Sequence, residues 1–302
     1  MTAKKDLLTI WDFSAEEVRS ILNRSIALKS GVDRMKCPLI GKSIGLFFEK
    51  PSTRTRVSFE VGVYQLGAQP IVLSPRELQL GRGETIADTA RTLSRYLHGM
   101  VMRVFQHDTV AEFARHASIP VINGLSNAHH PCQAFADVMT VQERKGRTDG
   151  IRFAFIGDGN NVAHSLIEIA ARTGLDFVIA APEGYDPDPA VVQRARSAGG
   201  RIAIVRDARE AAAGADVLYT DVWVSMGQEA EADEKVEKFR SFQINDDLLG
   251  RAKPDAMVLH CLPAVRGNEI TDAVMDGPHS AIFAQAENRL HTEKALLEYL
   301  VS

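Results

Sequence analysis

Alternation is what most constrains the fold of this chain. Short runs of β-branched and apolar residues take turns with stretches of helical period along its whole length. Such a pattern predicts βαβ units, each strand buried in a parallel sheet between covering helices. The earlier runs fall at 44–48, 70–73, 100–104 and 119–122, with a weaker one in the first 40 residues. The later ones fall at 152–156, 177–181, 202–205, 216–220 and 256–259, with 281–284 as a further candidate. Helical period is cleanest where Ile86, Ala90, Leu93 and Leu97 recur on one face. At 302 residues the chain is long for one core and suits two of about 150 each. The charged, glycine-bounded stretch Glu143 to Gly150 is the expected junction, and the mixed-charge stretch Glu229 to Lys238 reads as a solvated helix face or loop.

Bulk numbers exclude several function classes. A net charge of -4 and a pI of about 6.2 leave no basic footprint for nucleic acid or an anionic membrane. The N-terminal residues lack the apolar core of a secretion signal, and no run is long enough to span a bilayer. Three cysteines, at 37, 132 and 261, make no disulfide framework, so a reducing cytoplasm is expected.

In open parallel sheets ligands bind beyond the carboxyl ends of the strands, so the polar residues after each apolar run come first. After 44–48 stands Ser52-Thr53-Arg54-Thr55-Arg56, where Pro51 and Ser52 suit a helix start. Two cations at the positive end of a helix dipole are misplaced unless an anion binds there, which points to phosphate. Arg54 and Arg56 are two residues apart and face nearly opposite ways on a helix, so one of them needs a structural partner. Arg103 follows the third run, and His129, His130, Pro131, Cys132 and Gln133 follow the fourth. In the second half the candidates are Gly157 to Asn161, then Asp221 with Ser225, Met226 and Gly227, then His260-Cys261-Leu262-Pro263. The first set is donor-rich and cationic, and suits a phosphorylated substrate with a neighbouring carbonyl. The second joins amide, carboxylate, hydroxyl and thiol, and suits an amino acid. Together they suggest acyl transfer from an acyl phosphate to an amine, with donors aimed at the developing oxyanion.

Two rival chemistries are weaker. Gly157-Asp158-Gly159 after a strand resembles the start of a dinucleotide fingerprint, but the third glycine position is Val162 and Asn160-Asn161 are bulky where a pyrophosphate would approach. His129, His130, Cys132, His260 and Cys261 match no zinc spacing.

Phe48-Glu49-Lys50-Pro51-Ser52-Thr53-Arg54-Thr55-Arg56-Val57-Ser58-Phe59-Glu60 and His130-Pro131-Cys132-Gln133 resemble the carbamoyl phosphate motifs of the aspartate/ornithine carbamoyltransferase family. Ser225-Met226-Gly227 and His260-Cys261-Leu262-Pro263 are similar to its ornithine-specific members. The resemblance covers essentially the whole chain. It implies two doubly wound parallel-sheet α/β domains with the active site in the interdomain crevice. A carbamoyl phosphate domain of residues 1–140 would be completed by a last helix, 287–302, and an ornithine domain would span 150–286. The implied reaction moves the carbamoyl group of carbamoyl phosphate to the δ-amine of L-ornithine, giving L-citrulline and phosphate in arginine metabolism, without a cofactor or metal. Ser52, Thr53, Arg54, Thr55, Gln79, Arg103, His130, Gln133, Cys261, Leu262 and Arg289 would meet carbamoyl phosphate, with Arg289 at the apparent start of the last helix and Gln79 reaching in from a neighbouring subunit of a homotrimer. Asn161, Asp221, Ser225 and Met226 would surround ornithine. Cys261, Arg103, His130, Thr55 and Asp221 would carry the chemistry, either Cys261 or Asp221 taking the amine proton, while Arg56 would be structural.

Overall fold

The computed structural model describes residues 4–32, 36–76, 83–224 and 232–302, which divide into two compact units, 1–139 with 287–302 and 140–286. In chain order the elements are α1 (Ala15–Lys29), β1 (Ser43–Phe48), α2 (Thr53–Gln65), β2 (Gln69–Leu73), α3 (Ile86–Leu93), β3 (Gly99–Arg103), α4 (His107–His116), β4 (Val121–Leu125) and α5 (Pro131–Lys145). There follow β5 (Arg152–Ile156), α6 (Asn161–Thr173), β6 (Asp176–Ala180), α7 (Pro189–Ser197), β7 (Arg201–Val205), α8 (Ala208–Ala212), β8 (Val217–Thr220), α9 (Ala232–Phe239), α10 (Asp246–Leu249), β9 (Met257–His260), α11 (Asp272–Met275) and α12 (Ile282–Val301).

Both sheets are wholly parallel, as the alternation predicts. The first has the order β2-β1-β3-β4 and the second β7-β6-β5-β8-β9. Each chain path starts in mid-sheet, winds outward one way and then returns to wind the other way. The switch therefore falls between β1 and β3 in one unit and between β5 and β8 in the other. There the connections leave in opposite directions and open a crevice at the carboxyl ends of the strands. Phe47, Met100, Met102 and Val104 fill one side of the first sheet against Val110 and Phe113 of α4. In the second sheet Phe153, Phe155, Phe177 and Tyr219 stack across neighbouring strands. The opposite face packs Val178, Leu218 and Val258 with Trp223 and Phe239.

Several expectations need correction. The weak N-terminal run forms no strand among the described residues; Leu7 makes only an isolated bridge to Ile122. Residues 282–284 are the first turn of α12, because a four-residue apolar run cannot by itself distinguish a buried strand from a buried helix. The last helix thus begins at Ile282, not at 287, and Arg289 lies two turns inside it. Glu143, Arg144 and Lys145 of the expected junction are the last turn of α5, with Gly146 in the left-handed region at φ 71. The stretch taken for a solvated face contains α9, whose Lys235 is buried against Asp158 at 2.6 Å.

Candidate active site

In the first unit the local sequence builds an anion site at the β1/β3 switch. Ser52 ends the turn after β1 in extended backbone and accepts the Thr55 N–H at 3.2 Å, capping α2. The first turn of α2 carries no acidic side chain, so the positive end of its helix dipole is not offset from within the helix. Arg56 is exposed and pairs with Glu60 at 2.7 Å, so it is the arginine with the structural partner. Arg54 is half-buried and close enough to bear on the charge of His130.

Buried Arg103, the last residue of β3, reaches Thr55 Oγ1 through one guanidinium nitrogen at 3.5 Å. Arg289 donates to the same oxygen at 3.2 Å and to Gln133 Oε1 at 2.8 Å, which ties α2, α5 and α12 together. Gln133 in turn donates to Asp137 at 2.8 Å. The dipole argument expected at Arg289 does not hold, since a side chain two turns inside a helix lies beyond the reach of the terminal partial charges. Its compensation is Glu293, one turn later, whose Oε1 accepts from Nε at 2.9 Å and from the second terminal nitrogen at 2.6 Å. Α12 can lie this close to α2 because Gly62 faces Leu290 and Lys294, where a Cβ would stand 3.3 Å from the Lys294 stem.

Electrostatics follow from that packing. Burial, with the charges of Arg289, Arg103 and Arg54, holds His130 well below the usual histidine range, so its imidazole is neutral at pH 7 and can donate one N–H. Burial and the Arg103 charge also lower Lys50, whose ammonium lies over the Phe105 ring at 4.5 Å. Cys132 is buried and its thiol is pushed far up by burial, while His129 packs edge-on against His107.

The second unit builds its cluster at the β5/β8 switch. Gly157, with φ 148, and Gly159 let the chain turn sharply after β5. A Cβ on Gly159 would sit 2.1 Å from Pro187 N, so this glycine serves chain packing. Asn160 caps α6 through Oδ1 and donates through Nδ2 to Asp221 Oδ2 at 2.8 Å. The other oxygen of Asp221 accepts the Val222 N–H and the Cys261 thiol, both at 2.8 Å. Asn161 opens α6 beside that cap.

Cys261 and Leu262 follow β9, and Leu262 holds a left-handed φ of 59 before a cis bond to Pro263. A non-glycine residue keeps that conformation only where its surroundings enforce it. Here the Leu262 N–H donates to His260 Nδ1 at 2.8 Å, which puts the ring proton on Nε2, 3.2 Å from Glu269 Oε1. The Val265 N–H binds that same oxygen, and the Gln285 side chain accepts the His260 N–H at 2.9 Å. Asp221, His260 and Cys261 place ligand-type atoms within 4.8 Å of one another. Both ring nitrogens of His260 are already engaged, however, so the three do not form a set of metal ligands.

The structure thus brings Ser52, Thr53, Arg54, Thr55, Arg103, His130, Gln133 and Arg289 together in one unit, and Asn161, Asp221, Cys261 and Leu262 in the other. Gln79, Ser225 and Met226 lie outside the described residues. Sequence reasoning missed Glu293, Gln285 and Glu269, while Asn160 fell within the candidate stretch Gly157 to Asn161 without a role of its own. Only Glu293 carried a readable signal, its i+4 spacing from Arg289.

Comparison with known proteins matches the two halves separately. The model of the aspartate/ornithine carbamoyltransferase carbamoyl-P binding domain matches residues 5–143, and that of the Asp/Orn binding domain matches residues 149–300. An ornithine carbamoyltransferase of Methanosarcina mazei is 53% identical over 296 residues, covering 97% of this chain and 98% of its own. An anabolic ornithine carbamoyltransferase of Pyrococcus furiosus is 51% identical over 301 residues, covering 98% and 96%. A solved structure of ornithine carbamoyltransferase from Pyrococcus furiosus superposes with a TM-score of 0.94 at 50% identity, covering 99% of this chain and 97% of the other.

Proposed function

The chain belongs to the aspartate/ornithine carbamoyltransferase family, and from that premise we propose how its residues transfer a carbamoyl group from carbamoyl phosphate to the δ-amine of L-ornithine, giving L-citrulline and phosphate. The observation that carries this reading is the buried pair Arg103 and Arg289 on Thr55 beside the acid-free N-terminus of α2. That arrangement suits a phosphate dianion with a polarisable carbonyl attached to it.

Ser52, Thr53, Arg54 and Thr55 hold the phosphate oxygens. Thr55, Arg103 and neutral His130 surround the carbamoyl oxygen, and Gln133 accepts from the carbamoyl NH2. Ornithine's carboxylate and α-ammonium engage Asn161, Ser225 and Met226, while its δ-amine meets Asp221 and Cys261. An ammonium cannot attack, so the Asp221–Cys261 pair takes its proton and orients the neutral nitrogen. The C–N bond forms, the tetrahedral oxyanion draws on Thr55, Arg103 and His130, and the C–O bond breaks as the now cationic nitrogen passes its surplus proton to the departing phosphate oxygen. The phosphate leaves with the electron pair into the Arg54 and α2 site.

We also place the enzyme in the cytoplasm, a reading supported by three cysteines that form no disulfide. A homotrimer in which Gln79 completes a neighbour's site is supported by Val57, Val61 and Tyr64, which lie exposed at helical spacing along one face of α2. Sedimentation should show a trimer that Val61→Lys weakens; a monomer at working concentration would end that proposal. For the reaction itself, carbamoyl phosphate with L-ornithine should yield citrulline. Product from aspartate, putrescine or an acylated ornithine but none from ornithine would overturn the substrate assignment.

A further inference from the structure

One buried carboxylate behind the phosphate cluster has no part in the chemistry above. Glu293 is completely buried on α12 and grips the back edge of Arg289 with a single oxygen, through Nε and one terminal nitrogen. The front edge of that guanidinium meets Thr55 on α2 and Gln133 on α5, two groups of the proposed carbamoyl phosphate site. Arginine carries large rotamer freedom, so a side chain that must present two donors to two helices gains from a fixed rear anchor. Net stability does not explain the pair. Apolar residues of similar volume often serve as well as a buried ion pair.

We propose that Glu293 is a positioning residue for carbamoyl phosphate, holding Arg289 in the one orientation that keeps Thr55 and Gln133 set for the ligand. The inference rests on the carbamoyl phosphate reading of the site. The groups that bear on the pair come from each element packed on it: Ser58 from α2, His130 just before α5, and Cys132 and Asp137 from α5. Burial raises the Glu293 carboxyl to about 7, with Arg289 and Ser58 opposing. The cluster outweighs the effect of burial on Arg289 and keeps it cationic. As pH falls through that value the carboxylate takes up a proton and its hold on the guanidinium weakens.

The test is steady-state kinetics from pH 6 to 8.5 on the wild type, Glu293→Ala and Glu293→Gln, with inorganic phosphate titrated calorimetrically and folding followed by thermal melting. In Glu293→Ala the KM for carbamoyl phosphate and the Kd for phosphate should rise roughly tenfold or more, with the KM for ornithine within about twofold. Glu293→Gln keeps an acceptor at Oε1, so it should recover most of that loss. It should also lack the rise in carbamoyl phosphate KM that the wild type shows as pH falls through about 7. If Glu293→Ala fails to fold, the pH curve of the Gln variant decides alone. Unchanged carbamoyl phosphate KM and phosphate Kd in folded variants, or equal changes for both substrates, would overturn the proposal. A wild type that makes no citrulline would instead sink the assigned reaction, and phosphate calorimetry would still judge Glu293.

Discussion

Arg54 and Arg56 sit in one helical turn and have different surroundings. Their spacing turns them to opposite sides of α2, so Arg56 finds Glu60 in solvent while Arg54 stays beside His130. Arg56→Ala should shift unfolding free energy by no more than about 0.5 kcal/mol and change kcat/KM less than about twofold. Arg54→Ala should lower kcat/KM for carbamoyl phosphate by roughly a hundredfold or more. Equal effects in the same kinetic assay would contradict this division. Asp221 offers a complementary test, since it accepts from both Asn160 and Cys261. Asp221→Asn should reduce kcat/KM for ornithine by about 10²–10⁴ while phosphate affinity stays near wild type.

Elements place these residues through their ends. The capped start of α2, the last residue of β3, the start of α5 and the β5–α6 turn all lie at strand or helix termini, where backbone groups are unpaired. Arg289 breaks that rule and is held by a side chain instead. The β5–α6 turn depends on close chain packing at Gly159. Gly159→Ala sets a methyl group against backbone and should cost about 1–3 kcal/mol, read as a lower Tm. An unchanged Tm would show that the Asp186–Pro187 loop yields freely. Such end positions were legible because apolar runs announce where strands stop. The boundaries of α12 were not, since its apolar beginning reads equally well as a strand.

For the molecule as a whole, two buried groups make stability depend on pH with opposite signs. His130 is held below its ordinary value of 6.5, so below that pH the unfolded chain binds a proton that the native state refuses, and stability falls on acidification. Glu293 is raised from 4.5 to about 7, so between those values the native state binds the extra proton and gains stability as pH falls. The two offset each other in the wild type over the shared window. Urea unfolding at pH 7.5, 6 and 5 should therefore separate them. Relative to the wild type, His130→Gln should gain stability on acidification and Glu293→Gln should lose it, each by roughly 1.4 kcal/mol per pH unit at the steepest. Parallel curves for all three proteins would refute this assignment.

Legible along the chain were the parallel α/β class, a division into two parts, the capped, arginine-bearing turn at residues 52–56 and the thiol and carboxylate of the second half. These are local properties, written in periodicity and in the residues that follow each apolar run. Which groups meet is set by packing between distant parts of the chain. Arg289 reaches Thr55 across 234 residues and Cys261 reaches Asp221 across 40. Such pairings depend on strand order and helix docking, which no spacing along the chain encodes. The same holds for Glu293, whose charge has meaning only once α12 is packed on α2 and water is excluded from the pair.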